Sequence, residues 1–189
     1  MIQEKVHNNN FIRRNQIHSL TDYHHLLSAV KRGEMIRIRR GVYATKDGLA
    51  STMIDISTVV PGGVLCLYSA WSHYELTTQI PDAFYIAIQK KRKVTLPAYP
   101  PIELSYWSEI PFKLGITEKE IDGYKVPIYD LEKSVCDAIK FRNKIGVDVS
   151  SEILKNYLKR QDRDLTKLAE YSHKMRIAGT MDKLIRYMI

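Results

Sequence analysis

Residues 19–33, SLTDYHHLLSAVKRG, and residues 35–45, MIRIRRGVYAT, decide the fold of the first quarter of this chain. The first stretch repeats apolar side chains at i, i+3, i+4 and i+7, the spacing of one helical face: Tyr23, Leu26, Leu27 and Val30. Ser19 or Thr21 can cap the start of such a helix, and Gly33 can end it. The pattern therefore predicts an amphipathic helix.

The second stretch changes to a period of two residues, which is typical of a strand. Its apolar and basic side chains alternate along the chain: Ile36, Arg37, Ile38 and Arg39. Arg40 and Gly41 suit a tight turn, because glycine tolerates a positive φ, and residues 42–44 suit a returning strand. We therefore expect a β-hairpin with arginines on one face.

A helix followed directly by a basic hairpin predicts the end of a winged helix-turn-helix, in which the helix enters the major groove and the hairpin lies over phosphates. We expect base contacts from the helix face opposite the apolar stripe: Thr21, His24, His25 and Ser28. We expect phosphate contacts from the neighbouring cations: Lys31, Arg32, Arg37, Arg39 and Arg40. Residues 2–8 and 11–17 are the candidates for the two preceding helices. The alternative is a helix packed on a hairpin whose basic edge is only solvated.

The positive charge of the chain is concentrated in this same region. Residues 1–46 hold nine Lys and Arg against three Asp and Glu, whereas the rest of the chain holds 20 against 18. A basic part joined to a nearly neutral part suggests a polyanion-binding module and a separate effector module, although an uneven solvated surface has the same composition. We accordingly predict a DNA-binding domain at residues 1–46 and an α+β effector domain at residues 47–189.

The second predicted domain combines short strands with a helical C-terminal third. Strand patterns occur at four places: residues 83–88, 94–96, 102–106 and 126–129. From Leu131 onward, apolar side chains recur at helical spacing in four successive stripes. The predicted fold class is therefore α+β: an N-terminal winged helix-turn-helix, then an α+β domain with a small sheet and a C-terminal helical bundle.

The overall composition excludes several classes of protein. Hydrophobic residues make up 44% of the 189 residues and charged residues 26%, which excludes a disordered chain. The longest apolar stretch, residues 59–71, is interrupted by Pro61 and two glycines and is too short to span a bilayer. The first residues lack the apolar run of a signal peptide. Cys66 and Cys136 make no disulfide framework, so we expect a cytoplasmic protein without membrane association.

The sequence carries no convincing pattern of catalytic or metal-binding groups. It has no nucleophile elbow, phosphate-binding loop or dinucleotide glycine motif, and no histidine pair has metal-ligand spacing. We therefore predict a protein that is not an enzyme and that has no metal or cofactor. The alternative is a metal-dependent nuclease with an N-terminal DNA-binding module, built on Asp82, Gln89 and Lys91, where two oxygen ligands would hold a metal beside a lysine.

A second charged cluster lies at the start of the helical third, at residues 132–142. Lys133, Asp137 and Lys140 share one helical face there, which we interpret as ordinary i, i+4 ion pairing on a helix surface. The exposed sides of residues 132–142 and 148–160 are our candidate contact surfaces for a partner.

Four segments, taken in order, resemble the AbiEi family, the abortive-infection antitoxins of type IV bacterial toxin–antitoxin pairs. They are KRGEMIRIRRGVYAT at 31–45, LYSAWSHYELTTQIPDAFYIAI at 67–88, IDGYKVPIYDLEKSVCDAIKFRNKIGVDV at 121–149 and EILKNYLKRQDRDLTKLAEYSHKM at 152–175. The similarity extends from about Tyr23 to about Met181. The ordered set is more specific than any single segment, since RxRRGxY also occurs in other winged helices.

This resemblance implies a function in phage defence that needs two activities. It implies an N-terminal domain that binds the operator of its own operon as a repressor, and a C-terminal domain needed for antitoxicity. It implies a nucleotidyltransferase toxin encoded alongside, with which the antitoxin forms no stable complex. It implies no catalytic residues, because the family is not enzymatic.

Overall fold

The chain has a mixed α+β fold with two sheets, so the α+β class predicted from the sequence is confirmed. The computed structural model describes residues 12–45, 56–97, 100–121 and 123–188. In the N-terminal part, one helix follows a short strand and precedes a hairpin: β1 (Ile12–Arg13), α1 (Leu20–Lys31), β2 (Met35–Arg39) and β3 (Val42–Thr45). The three strands form an antiparallel sheet in the order β1-β3-β2.

The prediction of a helix at residues 11–17 is wrong. Ile12 and Arg13 form β1, which pairs with β3, and a single 3-10 turn follows at Arg14–Gln16. The Arg13 N–H donates to the side chain of Gln16 at 2.8 Å, which satisfies the backbone at this turn. Only Ile12 and Ile17 are apolar among residues 12–17, too few to bury a helical face. The helix predicted at residues 2–8 lies outside the described residues.

The second sheet has five strands: β4 (Val64–Leu65), β5 (Phe84–Gln89), β6 (Ile102–Trp107), β7 (Ile116–Ile121) and β8 (Tyr124–Tyr129). Their spatial order is β6-β5-β4-β8-β7; β5 runs parallel to β6 and β4 parallel to β8, and the other pairs are antiparallel. Three short helices lie before or between these strands: α2 (Ile56–Val59) before β4, α3 (Leu67–His73) between β4 and β5, and α4 (Glu109–Lys113) between β6 and β7. Residues 94–96 form no strand, so that prediction is wrong. Val94 and Leu96 instead pack their side chains against the core.

Four helices complete the fold: α5 (Leu131–Ile145), α6 (Val147–Leu158), α7 (Leu165–Lys174) and α8 (Ala178–Met188). The sequence predicts this helical third correctly, but it places the first half of α5 on the surface, which is wrong. Every residue from Leu131 to Ile139 is buried, because α3, α6 and α7 pack against the helix and Trp107 and Tyr129 of the second sheet contact Lys133. Residues 132–139 therefore offer no contact surface to a partner.

The sheet of the N-terminal part is covered on both faces. Tyr43 packs with Ile12 and Leu26 on the face that carries α1. On the opposite face, the side chains of Val42 and Ala44 belong to the same apolar cluster as the core of the second sheet. The predicted division at residue 46 thus separates two parts that share a hydrophobic cluster.

Candidate nucleic-acid interface

Local signals fix both ends of α1. The Oγ atom of Ser19 accepts a hydrogen bond from the N–H of Thr21 at 3.1 Å, so Ser19 is the N-cap. At the other end, Gly33 has φ +74°, and its N–H donates to the carbonyl of Val30 at 3.1 Å. A positive φ at this position favours glycine. The helix therefore starts and ends where the sequence predicts.

The amphipathic division of α1 also follows the prediction. Leu26 is completely buried, and Tyr23 and Val30 are half-buried in the same small cluster. The four side chains predicted to contact bases are exposed together on the opposite face: Thr21, His24, His25 and Ser28. This face offers hydroxyl and imidazole groups, which donate or accept hydrogen bonds at base edges.

The hairpin places further cations next to α1. Gly41 adopts φ +78° at its turn, and Arg37 and Arg40 are exposed on either side of the β2 end. Arg37 lies opposite Tyr43 in the β2–β3 register, on the sheet face that carries α1. Arg39 is the last residue of β2, and its side chain lies outside the described part of the structure.

The two cations at the end of α1 differ in their pairing. Lys31 is exposed. Arg32 forms two hydrogen bonds with the carboxylate of Glu34, at 2.7 and 3.0 Å. This contact raises the pKa of Arg32 and lowers that of Glu34. Both side chains are 58% exposed, so a phosphate has to compete only with a weak surface ion pair for the guanidinium.

Arg13 and Arg14, which were not among the predicted DNA contacts, stabilise the segment that precedes α1. The guanidinium of Arg14 lies 4.3 Å from the ring centroid of Tyr23 and donates to the carbonyl of Ile17 at 2.8 Å. Arg13 donates to the Oγ1 atom of Thr58 at 3.3 Å, which ties β1 to α2. Both contacts hold the strand that precedes α1, so these arginines have structural roles.

A basic cleft joins the hairpin to the second sheet. It has a volume of about 590 Å³, and its wall carries four cations but no acidic side chain among the described residues: Arg37, Arg40, Arg92 and Lys93. The Arg92 guanidinium donates to the carbonyl of Pro61 at 2.5 Å, which orders this side chain. Sequence reasoning missed Arg92 and Lys93, because the run KKRK at residues 90–93 by itself indicates only a solvated charged turn.

The three residues of the nuclease alternative do not come together. Asp82 precedes β5 and Gln89 is its last residue, so a whole strand separates them. At about 3.3 Å per residue this strand holds the two side chains more than 15 Å apart, too far to share one metal ion. The Asp82 carboxylate instead accepts a hydrogen bond from the hydroxyl of Tyr85 at 3.1 Å. Lys91 is exposed in the turn beyond Gln89.

The described residues contain neither a candidate metal site nor a candidate membrane-spanning helix. Within residues 12–45, 56–97, 100–121 and 123–188, no three His, Cys, Asp or Glu side chains are grouped so that they could hold a metal ion. In these same ranges no helix has the length and apolar character needed to cross a membrane.

Comparisons with known proteins add no family assignment. No protein-family model matches the chain, and a search of curated proteins finds no significant match.

Proposed function

We propose that this protein binds the operator DNA of its own operon through α1 and the β2–β3 hairpin, and acts as a transcriptional autorepressor. The observation that carries the proposal is the exposed face of α1, with Thr21, His24, His25 and Ser28, beside a hairpin that presents Arg37 and Arg40. The element sequence strand, helix, hairpin and the sheet order β1-β3-β2 support a winged helix in which α1 reads the major groove.

The basic cleft extends the proposed phosphate contacts beyond the hairpin. Arg92 and Lys93 line the same cleft as Arg37 and Arg40, so a DNA backbone over the hairpin meets cations from both parts of the chain. Each phosphate contact releases condensed counterions, and binding is therefore steeply salt-dependent. Arg92 and Lys93 position the DNA without reading its sequence.

The second proposed activity is antitoxicity, through residues 47–189, against a nucleotidyltransferase toxin encoded alongside. The support for it is the resemblance of four ordered segments to AbiEi antitoxins, three of which lie in this second part. The proposed antitoxin acts without catalytic chemistry of its own and without a stable complex with the toxin.

Salt titration of DNA binding tests the phosphate contacts. We expect the full chain to bind a duplex from upstream of its gene with a steep decrease in affinity as salt rises. The double variant Arg37→Gln/Arg40→Gln should flatten the plot of log affinity against log salt by roughly 0.9 for each lost contact. Lys183→Gln, which removes an exposed cation on α8, is the matched control and should keep the wild-type slope. A wild-type slope in the double variant would show that the hairpin does not contact DNA.

Co-expression with the neighbouring toxin gene separates the two activities. The Arg37→Gln/Arg40→Gln variant should lose repression of a promoter reporter but still restore growth. Loss of repression and of growth rescue together, in a variant that is folded and abundant, would contradict two separable activities.

A further inference from the structure

A second pocket lies away from the basic cleft, where the turn after β5, the end of β6 and α4 meet α5 and the α7–α8 link. Its volume is about 600 Å³, within the range of small-molecule sites. It shares no wall residue with the basic cleft. Its wall combines cations with aromatic side chains, among them Lys90, Lys140, Arg176, Tyr106, Trp107 and Phe141.

The cations of this pocket exceed its available carboxylates. The wall carries four cations, of which Lys174 is one, against two carboxylates. Asp137 is paired with the buried Lys133 at 2.7 Å, and Glu109 forms an exposed pair with Lys113 at 2.7 Å. Lys90 and Arg176 form no ion pair with any described residue, and both are exposed. An ammonium and a guanidinium that have no carboxylate partner among the described residues, on one concave surface, favour an anionic ligand.

Lys140 adds a third cation whose position is fixed. Its Nζ atom donates to the carbonyl of Met175 at 3.0 Å, next to Arg176 in the chain. An ammonium has three N–H donors, so two remain for a ligand. This hydrogen bond holds Lys140 of α5 next to the α7–α8 link that carries Arg176. Two neighbouring cations suit a ligand with more than one charged oxygen.

Arg176 occupies a backbone position that favours glycine. Its φ is +58°, and its N–H donates to the carbonyl of His173 at 3.0 Å where α7 ends. A left-handed conformation destabilises a non-glycine residue. The effect of the side chain on binding can therefore be separated from its effect on folding. Arg176→Gly removes the guanidinium, but it also removes the strain of the left-handed backbone and so should not destabilise the fold.

The pocket wall also carries apolar and aromatic side chains. Among them, Tyr106 is 50% exposed and Ile110 is 64% exposed. The ring of Trp107 is stacked on that of Phe141, with centroids 6.0 Å apart. An exposed aromatic ring on a wall that also carries cations suits a planar base, since every nucleobase has a stacking face.

We propose that this pocket binds a nucleoside phosphate. Lys90, Lys140 and Arg176 contact its phosphates, and Tyr106 packs against its base. The site is independent of the proposed DNA interface, and the proposal does not require that the protein bind DNA.

Calorimetric titration of the full chain with ATP, without divalent ions, tests the proposal. We expect saturable binding of one ATP per chain, with tripolyphosphate and adenosine each at least about tenfold weaker. Lys90→Gln and Arg176→Gln should each weaken ATP roughly tenfold, the usual effect of losing one charged hydrogen bond. Tyr106→Ala should weaken ATP and leave tripolyphosphate unchanged. Lys183→Gln and the Arg37→Gln/Arg40→Gln variant should bind ATP like the wild type.

Arg176→Gly separates binding from folding. This variant should raise the Tm by roughly 2–4 °C, because it relieves the left-handed backbone, and still bind ATP about tenfold more weakly. Three results would overturn the proposal: no saturable binding of ATP, GTP, CTP or UTP; equal affinity for ATP and tripolyphosphate; or loss of ATP binding in the Arg37→Gln/Arg40→Gln variant with full binding in Arg176→Gly.

Discussion

At the scale of single residues, Lys133 has the most unusual environment of the described side chains. It is fully buried, and its Nζ atom lies 2.7 and 2.8 Å from the two carboxylate oxygens of Asp137. The ammonium also lies 4.1 Å from the ring centroids of both Trp107 and Tyr129. Burial raises the pKa of Asp137 even beside this lysine. Each charge of the pair is therefore tolerated only because the other is present.

Removing one member of this pair should be far more damaging than removing both. Lys133→Met leaves Asp137 in the interior without its cation, and we expect a loss of about 3–5 kcal/mol in the free energy of unfolding, measured with urea at pH 8. The double variant Lys133→Met/Asp137→Leu should recover most of this loss. A double variant as unstable as Lys133→Met would contradict the account.

The stability of Lys133→Met should also depend on pH, with a definite sign. Loss of the ammonium raises the pKa of Asp137 further above its value in the unfolded chain. A folded state that holds its proton more tightly is stabilised at low pH and loses this stabilisation as the pH rises through the folded-state pKa. The deficit of the variant relative to the wild type should therefore be smaller at pH 5 than at pH 8.

Sequence reasoning places Lys133 and Asp137 correctly on one helical face but on the wrong side of the helix. The i, i+4 spacing of opposite charges is the same for a surface pair and a buried pair. What buries this pair is the packing of Trp107 and Tyr129, which come from β6 and β8. Such contacts between distant parts of the chain leave no local pattern.

At the scale of elements, two turn glycines differ in what surrounds them. Gly33 ends α1 with φ +74°, and an added Cβ would meet no atom within 4 Å. Gly115 has φ +71° between α4 and β7, and an added Cβ would lie 2.7 Å from the Cβ of Lys133 and 3.0 Å from a carboxylate oxygen of Asp130. At Gly33, glycine is therefore favoured only because φ is positive. At Gly115, glycine is also favoured because neighbouring atoms leave no space for a Cβ.

These differences predict a graded series of alanine variants. Gly33→Ala should lower the free energy of unfolding by about 1–2 kcal/mol through backbone strain alone. Gly115→Ala should cost clearly more, since its neighbours must also move. Gly179→Ala in α8, where φ is not positive and the space is open, should instead be stabilising by up to about 1 kcal/mol. Urea unfolding measures all three, and equal losses at Gly33 and Gly115 would contradict the described contacts.

Elements with strong local patterns are the ones that the sequence predicts well. α1 and the β2–β3 hairpin combine apolar periodicity with a capping serine and turn glycines, and the structure confirms their positions. β7 was not predicted because its sequence, ITEKEI, is half charged. It lies at the edge of the sheet and, among the described strands, pairs with β8 alone. Residues 94–96 have the apolar alternation of a strand, but they pair with no strand in the described structure.

At the scale of the whole molecule, the hairpin and the second sheet should unfold together. Ile38 of β2 is 2% exposed and belongs to the same cluster as Ile86 and Val126 of the second sheet. Both tryptophans of the chain, Trp71 and Trp107, lie in the second part. Their fluorescence therefore reports on a region distant in sequence from the hairpin.

Ile38→Ala tests this coupling. We expect the tryptophan-detected unfolding transition to lose about 2–5 kcal/mol, the usual cost of a large-to-small change in a core. The control is Ile80→Ala, which removes the same atoms from a side chain that is 91% exposed and should change the transition little. An unchanged transition in Ile38→Ala would show that the two parts unfold independently.

The proposed function depends on α1 as the element that reads DNA, and a competition measurement tests this most directly. Fluorescence anisotropy at fixed salt compares binding of the full chain to a duplex from upstream of its gene with binding to a random duplex of equal length. We predict a clear preference of the wild type for the upstream duplex. His24→Ala/His25→Ala should lower that preference by the roughly 1–3 kcal/mol of each lost base contact and leave binding to random DNA nearly unchanged. A double variant that keeps the full preference, or a wild-type chain that binds neither duplex at low salt, would contradict the account.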